Sequence, residues 1–193
     1  MALLMGILWP LQRLNDVLLA IGRALALSAL ALMVCFILYQ IFMRLFFDAP
    51  NWTEEAARFL MLWMTGLIGP LAYRQGGFVA IDMLERALPR ILAATLSLTL
   101  LLMAMSVIWK CAELGWSNVN SFTGRGSSAS LRLPLDWFGG ERIKFKNSWA
   151  FASLFVGFAL LVLVNAELIL RQLVTLLGGA EQLKPLEDAG PID

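Results

Sequence analysis

Residues 24–43 read ALALSALALMVCFILYQIFM, and no charged side chain interrupts them between Arg23 and Arg44. A lipid bilayer has a hydrocarbon core about 30 Å thick, which roughly 20 apolar residues in an α-helix can cross. Because this stretch has that length and composition, it predicts a transmembrane helix.

Three more apolar stretches follow, and each is also bounded by basic residues. They lie between Arg58 and Arg74, between Arg90 and Lys110, and between Lys146 and Arg171. Over the whole chain 60% of the residues are hydrophobic and 15% are charged, whereas soluble domains have roughly 25% charged residues. We therefore predict an all-α integral membrane protein with four transmembrane helices, at about 24–46, 56–73, 91–109 and 149–170, and with a loop over 111–148.

The segment before the first span has a different pattern. Apolar residues recur there at three- and four-residue spacing (Leu11, Leu14, Leu18 and Ile21), and polar residues lie between them (Gln12, Arg13, Asn15 and Asp16). This spacing is typical of an amphipathic helix that lies along the membrane interface. We accordingly divide the chain into an amphipathic interfacial helix at 1–22, a four-helix transmembrane domain at 23–171 and a polar carboxyl-terminal tail at 172–193. The alternative is that the first span starts directly within this segment.

The composition also argues against several classes of function. The chain has no histidine, so it lacks the usual axial ligand of a haem, the zinc ligands of a metalloprotease and the base of a Ser–His pair. Cys35 and Cys111 lie apart and are expected to be small apolar fillers. We expect no enzyme activity, no metal and no cofactor, and the net charge of +1 indicates no nucleic-acid partner. A membrane-embedded enzyme, a haem-free anchor of a respiratory complex and a four-span scaffold of another membrane complex are the alternatives.

The most distinctive local pattern opens the second span, where residues 51–58 read NWTEEAAR. Asn51 or Thr53 can cap the helix, and Glu54 and Glu55 lie where the helix dipole favours negative charge. Arg58 follows the glutamates at three- and four-residue spacing, so an ion pair within the helix explains these charges without a partner. The other explanation is that they dock a second membrane subunit.

A second pattern follows the same span, where residues 74–84 read RQGGFVAIDML. The two glycines are expected to end the helix. A phosphate-binding loop is excluded, because this segment has neither the preceding strand nor the lysine that such a loop needs.

Together these two patterns resemble the small membrane subunit of the tripartite ATP-independent periplasmic (TRAP) transporters, the DctQ type. Members of that family read W-x-E-E-x-x-R at the start of the second helix, then a Trp and a Gly, and then R-x-G-x-H-I-x-V-D-x-L. The corresponding residues here are Trp52, Glu54, Glu55, Arg58, Trp63, Gly69, Arg74, Gly76, Phe78, Val79, Ile81, Asp82 and Leu84. Residues 128–134 (SASLRLP) are similar to the family's S-x-x-L-x-x-P. Phe78 replaces the family's histidine and Ala80 a frequent basic residue, so any polar role at those two positions is lost.

The resemblance implies a complex in the bacterial inner membrane. Its parts would be a periplasmic substrate-binding protein, a large permease subunit that binds substrate and sodium, and this chain as a lipid-embedded scaffold. The family's substrates are mostly organic acids, such as dicarboxylates, 2-oxo acids and sugar acids. The contact with the large subunit is expected to include Trp52, Glu54, Glu55, Arg58, Trp63, Gly66, Gly69, Arg74, Gly76 and Asp82.

The orientation follows from the resemblance alone, which places both termini in the cytoplasm. Of the 15 Lys and Arg residues, seven lie in the termini and the middle loop and eight in the other two loops. Because positive charge is enriched on the cytoplasmic side of membrane proteins, this even division favours neither orientation.

Overall fold

Four long helices make up most of the described part of the protein, as the apolar stretches predict. The computed structural model describes residues 2–46, 52–76, 89–121, 126–133 and 143–177. The helices are α1 (Ala2–Phe46), α2 (Trp52–Arg74), α3 (Arg90–Asn120) and α4 (Ser148–Leu176). All four are long and apolar enough to cross a membrane. The predicted all-α membrane fold is confirmed.

The helices are longer than the predicted spans. α1 is one helix of 45 residues with Pro10 inside it, and a helix of that length extends about 68 Å. No break separates residues 2–22 from the first span, so the interfacial position of this first segment stays a prediction. α3 continues to Asn120, well into the predicted loop.

The helices pack in a layer with the order α1, α2, α4, α3. α2 packs between α1 and α4, while α3 packs mainly against α4. α1 also reaches α4 through Asn15, close to the last residue of α2. α1 and α3 are therefore the edges of the layer, and they carry most of the exposed large apolar side chains. This is the distribution expected where lipid rather than water surrounds the helices.

One narrow stripe of α1 faces the rest of the protein. Its buried residues recur at spacings of seven, four and three residues, and they are Leu8, Asn15, Leu19, Gly22, Ala26 and Ala29. Asn15 belongs to the polar side of the pattern seen in the sequence, yet only 1% of it is exposed. Leu14 and Ile21, on the apolar side of that pattern, are exposed. Leu11 and Leu18, the other two residues of that side, are half-buried. The apolar side of this segment is therefore only partly covered, and Asn15 packs inward because it has hydrogen-bond partners there.

A small β-hairpin lies within the predicted loop between α3 and α4. Strand β1 (Ser127–Leu133) pairs with β2 (Ile143–Lys146) in antiparallel register, with an irregularity between Ser127 and Arg132. At the base of the hairpin the Asn147 amide donates to the Gly126 carbonyl at 2.9 Å. β1 packs against α2. We did not predict this hairpin, because its strands are short and their irregular register obscures the alternation that marks a strand.

Candidate functional site

The first of the predicted interface residues, Trp52, opens α2 and packs on α1. Its ring lies edge-on to Phe36 at 5.7 Å between centroids, and 6.3 Å from the ring of Tyr39. Such aromatic pairs contribute about 0.5–1.5 kcal/mol beyond the area they bury. Trp52 therefore fixes the start of α2 against the second half of α1, with part of its surface still exposed.

The charges that follow Trp52 form an ion pair within α2. Arg58 Nη2 binds Glu54 Oε1 one turn away, and both side chains are exposed. Glu55 is half-buried, and Thr53 is fully buried. Because an exposed ion pair one turn apart contributes only about 0.3–0.5 kcal/mol, the fold depends little on Glu54 and Arg58.

In its middle, α2 touches α4 backbone to backbone. A Cβ atom added at Gly66 would lie 2.6 Å from the Ser153 carbonyl oxygen, and one added at Gly157 would lie 2.8 Å from the Gly66 carbonyl oxygen. Small residues allow this close approach of helices in lipid. Gly66 therefore allows a close contact between two helices of this protein. This contact explains why the residue is small, and no partner subunit is needed to explain it.

The other side of α2 is open. Its residues recur at three- and four-residue spacing, and we name them the open face of α2: Glu54, Arg58, Met61, Leu62, Thr65, Gly69 and Ala72. A Cβ atom added at Gly69 would meet nothing within 4 Å, so the described fold does not require a glycine there. Trp63 is half-buried beside this face.

At its carboxyl end α2 binds two other helices through Arg74. Nη1 of Arg74 donates to Asp16 Oδ1 of α1 at 2.6 Å, and Nη2 donates to Glu167 Oε1 of α4 at 2.8 Å. Gly76 then ends this part of the chain with a positive φ of 83°, a conformation that glycine adopts without strain. Asp82, the last predicted interface residue, lies outside the described residues.

Glu167 is the centre of this polar group. None of its side chain is exposed, and it accepts hydrogen bonds from Arg74, from Arg171 Nε at 3.2 Å and from Asn15 Nδ2 at 2.7 Å. With Asp16, these residues form what we call the Arg74–Glu167 cluster. Its two carboxylates and two guanidinium groups balance in charge, as a stable buried ionic group requires.

Neutral hydrogen bonds extend the connection to α3. Tyr73 donates its hydroxyl to Asn165 Oδ1 at 2.7 Å, and Asn165 Nδ2 donates to the Leu101 carbonyl oxygen at 3.0 Å. Farther along, Gln172 Nε2 donates to the Ala94 carbonyl oxygen at 3.2 Å. All four helices are thus joined by polar contacts on the same half of the layer.

The sequence had suggested no role for Asn15, Asn165, Glu167 or Arg171. One signal was present, because an ionisable residue inside an apolar helix is costly unless a partner neutralises it. Glu167 precedes nine further residues of α4, and Arg74 ends a helix on the same side of the layer. A pairing between them could have been proposed from that topology.

The chemistry of this group is structural. Among the described residues, no three His, Cys, Asp or Glu side chains could hold a metal ion. Both oxygens of the buried Glu167 carboxylate accept hydrogen bonds from donors of the same chain. The cluster can therefore hold α1, α2 and α4 in fixed relation.

Comparison with known families agrees with the pattern on α2. The family model for the DctQ component of the tripartite ATP-independent periplasmic transporters matches residues 33–175. No curated protein matches the chain significantly. The matched range contains Arg74, Glu167 and Arg171, whereas Asn15 and Asp16 lie before it. Since the match covers most of the 193 residues, the chain belongs to the DctQ family and is a small membrane component of a TRAP transporter.

Proposed function

We propose that this protein is the fixed scaffold on which a large permease subunit moves during sodium-coupled uptake of an organic acid. A periplasmic binding protein delivers the acid, which is a dicarboxylate, a 2-oxo acid or a sugar acid. One observation carries the proposal: the buried charges of this protein neutralise one another between helices. Within the part of the chain that the structure describes, these charges hold the layer together, and each has a partner of opposite sign.

The continuity of the helices supports the same division of roles. A secondary transporter binds its solute near the middle of the membrane, where helices are broken and polar groups converge. In the described part of this chain each span is a continuous helix, and the Gly66–Gly157 contact brings two of them together at backbone distance. A tightly connected layer suits a subunit that stays still while its partner moves.

We place the large subunit on the open face of α2. Thr65 and Gly69 would let another helix approach closely, and the Glu54–Arg58 pair offers both signs of charge at one end of that face. Trp52, Trp63, Gly66 and Arg74 act indirectly, because they hold α2 in position from its other sides. The predicted interface residues thus divide into those that touch the partner and those that orient the helix.

Co-purification of the large subunit tests this placement. Charge removal (Glu54→Gln with Arg58→Gln) and charge reversal (Glu54→Arg) should each reduce the amount of large subunit recovered with the tagged small subunit. The matched control is the exposed Lys110–Glu113 pair of α3, where Nζ lies 2.8 Å from Oε2, and Lys110→Gln with Glu113→Gln should leave recovery unchanged. Full recovery with both α2 variants would mean that these charges only stabilise the start of the helix.

The proposal also includes an orientation. Both termini lie in the cytoplasm of a bacterial cell, and the Trp52–Arg58 end of α2 lies on the periplasmic side, where the binding protein arrives. The hairpin between α3 and α4 is then periplasmic as well, because it precedes α4 at the same end of the layer.

A further inference from the structure

The first four turns of α1 extend beyond the end of α2. Asp16 binds Arg74, the last residue of α2, so the residues before Asp16 lie past that end. From Ala2 to Asp16 the helix rises about 21 Å. α2 does not cover this projecting segment, and the polar groups of the segment do not suit the apolar middle of the bilayer.

The outer surface of the segment combines apolar and cationic groups. Trp9 is 66% exposed, and Ile7 and Leu14 are also exposed. The Arg13 guanidinium lies over the Trp9 ring at 5.6 Å from its centroid. Tryptophan is enriched at the headgroup level of membranes, where its ring meets both lipid and water. The stacked pair therefore has the composition of a membrane-interface contact.

The backbone of this segment gives an independent reason to place it at the headgroup level of the membrane. Pro10 lies inside α1 and has no N–H group, so the Gly6 carbonyl cannot accept the usual helical hydrogen bond from residue 10. Gly6 is exposed, and nothing lies within 4 Å of the position its Cβ would take. An unpaired carbonyl is costly in hydrocarbon but not among hydrated headgroups. This turn of α1 is thus suited to the headgroup region.

The charge balance of the segment indicates which kind of lipid headgroup suits it. Arg13 and Arg23 are both exposed, and the acid between them, Asp16, is bound by Arg74. Within the described ranges neither arginine forms an ion pair. The Trp9 ring holds the Arg13 guanidinium beside it, and guanidinium groups bind phosphate oxygens through paired hydrogen bonds.

We infer that Trp9 and Arg13 form a binding site for the headgroup of an anionic phospholipid. The phosphate binds the Arg13 guanidinium, the Trp9 ring lies beside the glycerol, and the acyl chains lie along the exposed side chains of Val17 and Ile21, which lead toward the first span. The site anchors the projecting end of α1 at the membrane surface, and it is independent of the large subunit.

Lipid retention by the full chain tests this site. The protein is purified in neutral detergent, exposed to phosphatidylglycerol or phosphatidylcholine, and its bound lipids are counted by native mass spectrometry. The wild-type protein should retain phosphatidylglycerol preferentially. Arg13→Gln should retain about fivefold less, which corresponds to the contribution of one basic residue near an anionic surface. Trp9→Leu should also lose the preference, whereas Lys110→Gln, which removes an exposed cation elsewhere, should keep it.

Two results would overturn the inference. One is equal retention of the two lipids by the wild-type protein, and the other is an unchanged preference in Arg13→Gln. A competition arm separates lipid from soluble phosphate. Glycerol phosphate without acyl chains should fail to displace phosphatidylglycerol, and displacement at equal concentration would assign the site to a soluble ligand instead.

Discussion

Arg74 Nη2 lies 2.8 Å from Glu167 Oε1, and none of the Glu167 side chain is exposed. This pair joins the last residue of α2 to the inner side of α4, and Asp16 adds α1 to the same group. A charge inside a membrane protein is costly when it stands alone. The four charges therefore depend on one another, and the order of the helices depends on them.

Replacing Glu167 should lower the stability of the protein more than any exposed charge does. Glu167→Gln leaves Arg74 and Arg171 with only Asp16 as an acid, so the cluster gains one net positive charge. Removing one partner of a buried ion pair costs on the order of 3 kcal/mol, and thermal unfolding in detergent should show a clearly lower midpoint. Glu113→Gln, on the exposed surface of α3, is the control and should change the midpoint little. Equal midpoints for the two variants would contradict a central role for Glu167.

A double variant separates charge balance from the loss of contacts. Glu167→Gln combined with Arg74→Gln leaves Asp16 and Arg171, one charge of each sign. The double variant should therefore be less destabilised than the sum of the two single variants, as expected for residues that interact directly. Strictly additive midpoint shifts would show that the two side chains act independently.

The contact between α2 and α4 predicts a difference between two glycines of the same helix. In Gly66→Ala the new methyl group would lie 2.6 Å from a backbone oxygen, so the helices must separate, at a cost of about 1–3 kcal/mol. Gly69→Ala places its methyl group in open space and should leave the unfolding midpoint unchanged. The same loss of stability in both variants would contradict the packing described here.

A larger residue at Gly69 should affect assembly and not folding, if the open face of α2 binds the large subunit. Gly69→Leu fills the space that a partner helix would use. The isolated variant should unfold like the wild-type protein, while recovery of the large subunit in co-purification should fall. Undiminished recovery would place the partner on another surface of the layer.

The spans and the helical fold were predictable because they follow from local composition. The twenty uncharged and mostly apolar residues between Arg23 and Arg44 leave a helix as the only simple structure in lipid. The role of Asn15 could not be read in the same way, because its burial depends on Glu167, which lies 152 residues away in the sequence. The spacing of apolar residues around Leu14 correctly predicted a helix, but it did not show which side of that helix packs against the rest of the protein. Gly66 and Gly69 also look alike in sequence, and only the position of α4 distinguishes them.

Cysteine accessibility tests the proposed orientation. Ser127 begins β1, at the end of the layer where α2 starts, and that end is periplasmic in our proposal. In a background of Cys35→Ala and Cys111→Ala, Ser127→Cys should react with a membrane-impermeant maleimide in cells whose inner membrane is intact. Labelling that requires permeabilisation of the inner membrane would reverse the orientation.

Uptake by proteoliposomes tests the scaffold function most directly. Vesicles with this protein alone should take up no organic acid under an inward sodium gradient, whereas vesicles with the large subunit as well should do so when the binding protein is supplied. The buried charges of the described helices are paired with one another, so we expect the protein alone to bind and carry no solute. Sodium-dependent uptake by this protein without its partners would contradict the scaffold function.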